Sequence, residues 1–418
     1  MLQESSSRLP DYATRTIAPD RDASQGIDFT SAQSVRHKAR LSAMNPNYWY
    51  PAEWSRNLQP GQRIETRFWG SSIALFRTAD GKVAALENRC AHRNLPLTLG
   101  KVRGCNLVCA YHGWAFNPEG VLQSVEHDLF GHELPRIKIR THPVAERYGL
   151  IWIFPGDPAL AGQVPLPLIP NAEGEHAWAS FSFDFTWNAH YSMVIDNLAN
   201  LTHLYVHGKW SPFDKTWMVH SDLTGERLEL IWRHTLRRSR MQPIHKVTIV
   251  LPGEENLCET DSLYDYPYHC ALSSGRMRSV NLMLPMSESV TRVFTMQQWK
   301  RYQFSMLPRS WRKPFMDKVL MPLMRPGTME VYRQDGQTVQ AEMSRLDANF
   351  FKPTPEINHS VRLFDRVNAE RWQAWLDYRN GNRESTVTTR QKILLAEPLA
   401  FDATRGNVTR IDREASAA

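Results

Sequence analysis

The sequence has no run near the ~18 uninterrupted apolar residues that a membrane-spanning helix requires, so none of its 418 residues is expected to cross a bilayer and no membrane partner is expected. Its opening stretch, MLQESSSRLPDYATRT, lacks the apolar core of a signal peptide. Cysteine is scarce: Cys90, Cys105, Cys109, Cys258 and Cys270 are all there is. An odd, small number in so long a chain argues against a disulfide framework and leaves metal binding open. These absences together point to the cytoplasm. No Gly-x-Gly-x-x-Gly occurs, so the dinucleotide-binding fingerprint is missing. There is also no dense Lys/Arg run. The 50 Lys and Arg are spread along the chain against 43 Asp and Glu, for a net charge of +7. That distribution argues against a nucleic-acid partner. It fits a mildly basic surface, or a patch that steers an acidic redox partner.

What is present is the composition of a folded protein, with 42% hydrophobic and 22% charged residues and 14 Trp. The length exceeds what one domain needs. Residues 1–35 are polar and without period, an expected arm. Between residues 48 and 155 short strands alternate with turns: 63–69, 72–76, the Asp80-Gly81 turn, 83–86, and the apolar 150–154. Residues 155–170, rich in Pro and Gly, look like a linker. Beyond it, 181–185 has the pattern of a strand and 188–207 that of one helix. Strands are expected at 228–232, 246–251 and 290–295, and helices at 305–347 and 366–380. The mixture predicts an α+β fold, a small all-β domain before a larger one with an antiparallel sheet flanked by helices.

Two constellations carry chemistry. The first reads Asn88-Arg89-Cys90-Ala91-His92-Arg93 and, after a gap, Cys109-Ala110-Tyr111-His112-Gly113-Trp114. Two pairs of thiolate and imidazole ligands on two loops can converge on a metal. Tetrahedral zinc takes two Cys and two His, but usually with the cysteines in one pair and the histidines in the other. Here each pair mixes the two. That suits a [2Fe–2S] cluster with both thiolates on one iron and both imidazoles on the other, which raises its reduction potential. Gly100, Gly104 and Gly113 would let the loops wrap the cluster, and Pro96 would stiffen the first. At these residues the chain resembles the Rieske domain over about residues 46–156, with Tyr111 and Trp114 matching the usual Cys-x-Tyr-His-Gly-Trp. Cys105 has no ligand role in that pattern and is expected to be a buried thiol.

The second constellation lies in Ile195-Asp196-Asn197-Leu198-Ala199-Asn200-Leu201-Thr202-His203-Leu204-Tyr205-Val206-His207. On a helix, His203 and His207 would share a face, with Asn200 and Asp196 on it too. Two imidazoles and one carboxylate with open positions make the facial triad of non-haem Fe(II) oxygenases. Asp335 is the candidate carboxylate, with Asp347 its rival. His190 and His269 are expected to be ordinary residues.

This segment resembles the oxygenase (alpha) component of Rieske non-haem iron oxygenases, the ring-hydroxylating oxygenases and oxidative demethylases, over about residues 46–345. The resemblance implies Cys90, His92, Cys109 and His112 as ligands of a Rieske [2Fe–2S] cluster. It also implies His203, His207 and Asp335 as ligands of a mononuclear Fe(II). It divides the chain into an arm and helical segment at 1–45, a Rieske domain at 46–156 and a catalytic domain at 157–418. It implies a mono- or dioxygenase that takes electrons from a separate reductase, with or without a ferredoxin, to hydroxylate, dihydroxylate or oxidatively demethylate a small, aromatic or heterocyclic substrate. Relatives bring one subunit's cluster beside its neighbour's iron in a head-to-tail ring, so a homotrimer is expected. The chain departs from the family where an Asp usually bridges the two centres: here stands Asn200, an amide that still donates and accepts hydrogen bonds. Asn200 and Asp196 are the expected catalytic helpers. The departure keeps open a redox carrier or sensor with a non-catalytic second domain, and colour would distinguish either from a zinc-stabilised binding protein. Trp210, Trp217, Trp232 and Trp299 are candidate pocket walls, though core roles suit them better.

Overall fold

The computed structural model describes residues 28–125, 134, 136–211, 213–237, 257–300, 307–350, 355–382 and 388–399. The arm expected over the first residues and the strand expected at 246–251 fall outside these, as does the side chain of Asp347.

Turn chemistry sets the strand pairs of the N-terminal half. Trp69-Gly70 and Tyr148-Gly149 each place two successive residues at positive φ, which matches the twist of a two-residue hairpin. The first joins β2 (Arg63–Phe68) to β3 (Ser71–Arg77), and the second joins β10 (Val144–Arg147) to β11 (Leu150–Ile153). A third turn, Gly104-Cys105, joins β5 (Lys101–Arg103) to β6 (Asn106–Val108). Three small antiparallel sheets result: β1 (Tyr50–Trp54) with β11 and β10; β2, β3, β4 (Val83–Glu87) and β9 (Thr141–His142); and β5, β6, β7 (Ala115–Phe116) and β8 (Leu122–Ser124).

The second half is built on one seven-stranded antiparallel sheet. Strands β13 (Phe213–Thr224) to β18 (Val290–Trp299) follow one another across it, and β12 (Ala179–Trp187) closes its far edge on β18. Helices cover this sheet: Tyr191–Ala199, Met321–Asn349 and His359–Arg379, with the short Val35–Leu41 packed on the last. The α+β class expected from the sequence is the one observed.

Two cores follow. The larger runs from Trp54, Trp152 and Phe154 into Tyr191, Trp232 and Tyr264, joining the small β region to the large sheet. The smaller holds Phe76, Leu86, Leu107 and Phe116 around Cys90 and Cys109. Each fully buried Phe or Leu there contributes about 2 kcal/mol.

Three expectations are corrected. The single helix over 188–207 is two: Tyr191–Ala199 ends, and Leu204–His207 begins after a break. Asn200 causes it. Its Oδ1 accepts from the Thr202 N–H at 3.0 Å and the Thr202 hydroxyl at 2.6 Å, a local bond that competes with helix continuation. The expected linker 155–170 is docked, not free. Leu168 forms a parallel bridge to Ile393, its N–H donating to Lys392 O at 2.8 Å. Cys105 is exposed, because it occupies the tip of a hairpin. Of the four candidate tryptophans, Trp232 and Trp299 are core, and Trp217 is partly exposed.

Candidate metal centres

Cys90 follows β4 and Cys109 follows β6, so both sit where a strand leaves the small core. Each loop then closes on its own cysteine. Cys90 N–H donates to Leu95 O at 2.9 Å while its carbonyl accepts from Asn94; Cys109 N–H donates to Trp114 O at 2.8 Å while its carbonyl accepts from Gly113. Gly113 makes the second closure possible at φ +70°. A side chain on Gly100 would meet Val108 O at 1.9 Å, so the loops pack only because that residue is glycine. The result is a pair of buried thiols and a pair of imidazoles. The His92 and His112 rings lie 4.6 Å apart, and His92 lies flat on Trp114 at 4.8 Å. Burial pushes the Cys90 thiol up to about 11, and the adjacent Cys109 adds to the rise. Such thiols ionise when a cation takes the proton's place. Two thiolates and two imidazoles fit a cluster with one iron on each pair.

The second centre forms where the broken helix meets the long helix Met321–Asn349. His203 and His207 each bring Nε2 to 3.3 Å from the same Asp335 Oδ1. Ligand atoms of all three lie within 4.8 Å of one another. The helix break matters here: His203 is the residue before the short helix, at φ −82° and ψ 42°, not a member of a continuous face. Asp335 and His207 are buried and His203 is half-buried, leaving one open side. Burial lowers the His207 pKa, opposed by Asp335, which favours the neutral imidazole that metals bind. Around them, His207 Nδ1 contacts Gln334 Oε1 at 3.3 Å, and Asn197 Nδ2 donates to Asp335 Oδ1 at 3.4 Å. His203 Nδ1 is buried without a hydrogen-bond partner among the described residues. Two nitrogens and one carboxylate on one side of a space suit iron that must keep positions open.

Comparison with known proteins accounts for both centres. Residues 48–129 match the family model of the Rieske [2Fe-2S] domain, and residues 187–366 that of the vanillate O-demethylase oxygenase C-terminal domain. The 4beta-methylsterol monooxygenase of Methylococcus capsulatus is 35% identical over 353 residues, covering 81% of this chain and 92% of that protein. The chain belongs to the Rieske non-haem iron oxygenases. The vanillate O-demethylase oxygenase subunit of a Pseudomonas species is 30% identical, over 72% of this chain and 95% of its own. Crystalline dicamba monooxygenase bound to dicamba shares the fold with a TM-score of 0.62 at 21% identity, over 79% of this chain and 98% of that one.

This Rieske oxygenase is therefore an oxidoreductase with a [2Fe–2S] cluster and a mononuclear iron, the terminal oxygenase of a multicomponent system. The readings as a carrier, a sensor or a zinc-stabilised binding protein give way to it. The structure brings His203, His207 and Asp335 together, and places the other two singled-out residues elsewhere. Asp196 forms a buried ion pair with Arg40, which also faces Asp365 at 3.7 Å. Asn200 Oδ1 takes, besides Thr202, a 2.9 Å bond from Asn358 Nδ2, and Asn358 caps the helix His359–Arg379. His190 caps the helix Tyr191–Ala199, and His269 is buried between Ser262 and Asn281. Reasoning from sequence passed over Asn197 and Gln334. Each adjoins a residue already singled out, Asp196 and Asp335, and that adjacency was the available signal.

Proposed function

We propose that Cys90, Cys109, His92 and His112 hold the cluster in a unit spanning residues 46–156. His203, His207 and Asp335 hold the iron in a unit spanning 157–418, against which residues 28–45 of the expected 1–45 segment pack, the rest of it lying outside the described residues. The observation that carries this is the meeting of two Nε2 atoms at one carboxylate oxygen. Bound there, the two centres supply one-electron delivery and the reduction of O₂ beside a substrate. The chain's own residues do the rest. Asn197 fixes the Asp335 carboxylate and Gln334 fixes the His207 ring by a contact to its other nitrogen, which selects the tautomer. Asp196 and Asn200 are positioning residues. One ties the helix Tyr191–Ala199 to Arg40, and the other sets the turn that carries His203.

The reaction is monooxygenation, directed at a C–H bond of a small, largely apolar substrate. Support comes from the methylsterol monooxygenase and vanillate demethylase relatives, which cover most of this chain. A separate reductase, directly or through a ferredoxin, supplies electrons, since the chain has no nucleotide fingerprint. A homotrimeric ring in the cytoplasm completes the reading. That none of the five cysteines is in a disulfide is consistent with a reducing compartment.

EPR tests the assignment. The reduced, iron-loaded protein is expected to show a Rieske-type signal, and with nitric oxide a ferrous–nitrosyl signal. His203→Ala should abolish the second and keep the first. A nitrosyl signal that survives both His203→Ala and Asp335→Ala would move the iron elsewhere.

A further inference from the structure

The helical segment leading into the iron helix has two apolar faces where one would suffice. Helix Arg309–Phe315 continues through a π-helical turn, Met316–Leu320, into Met321–Asn349. Its inner face buries Met316, Leu320, Met321 and Met324 against Ala179 and Trp299 of the large sheet. Its outer face carries Trp311 at 67% exposure, Val319 at 43%, Leu323 at 66% and Met329 at 41%. Pro322 and Pro326 lie exposed among them. Large apolar side chains gathered on one exposed face mark an interaction site.

The charges around this face say what covers it. Lys318 and Arg325 are exposed beside the stripe, and neither has a carboxylate partner among the described residues. Glu330 is already held by Arg333 at 2.6 Å. Protein–protein interfaces are depleted in Lys. Helices that lie in a lipid headgroup layer instead combine Trp and Leu on one side with Lys and Arg along its edges. An indole suits that layer, with an apolar ring and an N–H donor. No described helix is long and apolar enough to cross a bilayer, so contact would be at the surface.

We propose that this face rests on an anionic lipid surface. The apolar stripe enters the headgroup boundary, and Lys318 and Arg325 meet the lipid phosphates. The same helix offers Asp335, about 18 Å further along its axis from Leu323 at 1.5 Å per residue. It also touches the histidine segment. The Trp210 ring lies 3.6 Å from where a Cβ on Gly327 would sit. The lipid-facing stripe and the iron site would thus share one helix. No membrane partner is expected from the sequence, because the signal is a folded face and not a hydrophobic run.

Flotation of the full-length holoprotein with vesicles tests this, and needs no turnover, so its failure would leave the iron assignment standing. The protein is expected to float with phosphatidylcholine vesicles containing phosphatidylglycerol, not with phosphatidylcholine alone, and less so at high salt. Trp311→Ser with Leu323→Ser should weaken partitioning about tenfold or more. Lys318→Glu with Arg325→Glu should do the same without touching the stripe. Both variants should keep the cluster EPR signal and the oligomeric state of the parent. Absence of binding by the parent protein would overturn the proposal. So would variants that bind vesicles as the parent does, or an apolar variant that falls to monomers while the charge variant still floats, which would make the stripe a subunit contact.

Discussion

Gly336 follows Asp335 in the long helix, and replacing it with alanine pits helix propensity against packing. Alanine in a helix interior is favoured over glycine by about 1 kcal/mol, so an open site would be stabilised. Gly336 is not open. A Cβ there would lie 2.2 Å from Trp187 Nε1 and 2.8 Å from two further ring atoms. The indole cannot retreat easily, since Trp187 is buried and its ring packs on Phe185 at 4.5 Å. Ordinary carbon contacts begin near 3.5 Å, so helix and ring must part by roughly 1 Å. Overpacking of that size costs about 1–3 kcal/mol. Because Asp335 is the next residue, the displacement passes to the carboxylate, and a 1 Å error at a reacting centre can cost about 10²-fold in rate. Gly327→Ala on the same helix is the control. Its Cβ would make an ordinary 3.6 Å contact with Trp210. Thermal unfolding and ferrous–nitrosyl EPR should show Gly336→Ala destabilised with a broadened or weakened signal, and Gly327→Ala unchanged or more stable. A Gly336→Ala protein as stable as the parent, with the same signal, would refute the reasoning.

Other consequences can be measured alongside. Burial lowers the pKa of His142 and His234 to about 4 and of His269 to about 3. The unfolded chain takes up protons below about 6.5 and the folded one does not, so their stability contribution is complete above that pH. It should fall by about 3 kcal/mol per histidine as the pH drops from about 6.5 to about 4, at 1.4 kcal/mol per unit. Urea unfolding across that range checks it, and His269→Gln should flatten the slope. Tyr332→Phe removes a hydroxyl bonded to Ser279 at 2.8 Å, Gln297 at 2.9 Å and Asn281 at 3.2 Å. It should cost about 1–3 kcal/mol, and, one turn before Asp335, loosen iron binding measurably by titration. Arg40→Met leaves Asp196 and Asp365 buried without their cation, at about 3–5 kcal/mol near neutral pH. Burial and the neighbouring Asp196 already raise Asp365 to about 8, so in the variant Asp196 should take up a proton as well and the loss should shrink toward pH 5.

The proposed ligand set was legible because its spacing is local. Cys90 with His92, and Cys109 with His112, stand as metal-ligand pairs within a few residues, and His203 with His207 nearly so. Strands were legible where apolar residues alternate, as at 63–69, or run together, as at 150–154. The misread features depend on partners far away in the chain. Asn200 breaks the helix through a bond to Thr202 that is completed by Asn358. The 155–170 segment has a loop's composition, yet Lys392 and Ile393 pin it. Cys105 is exposed through its place in a hairpin, which a cysteine's usual burial does not foretell. The buried group Glu226, Asp265 and Lys392, with the partly buried Arg371, had no sequence signature, its members coming from four separate segments.

The meeting of His203, His207 and Asp335 also has a mechanical side. The histidines and the aspartate are separated by well over a hundred residues of chain, most of it the large sheet. An ion gripped by all three closes that span as a disulfide would, with a loop-entropy effect of about 4–5 kcal/mol in a chain-statistics treatment. Iron would then be a clasp as well as a reagent. Chelation should lower the unfolding temperature, and ferrous iron added back should restore it in proportion to its concentration.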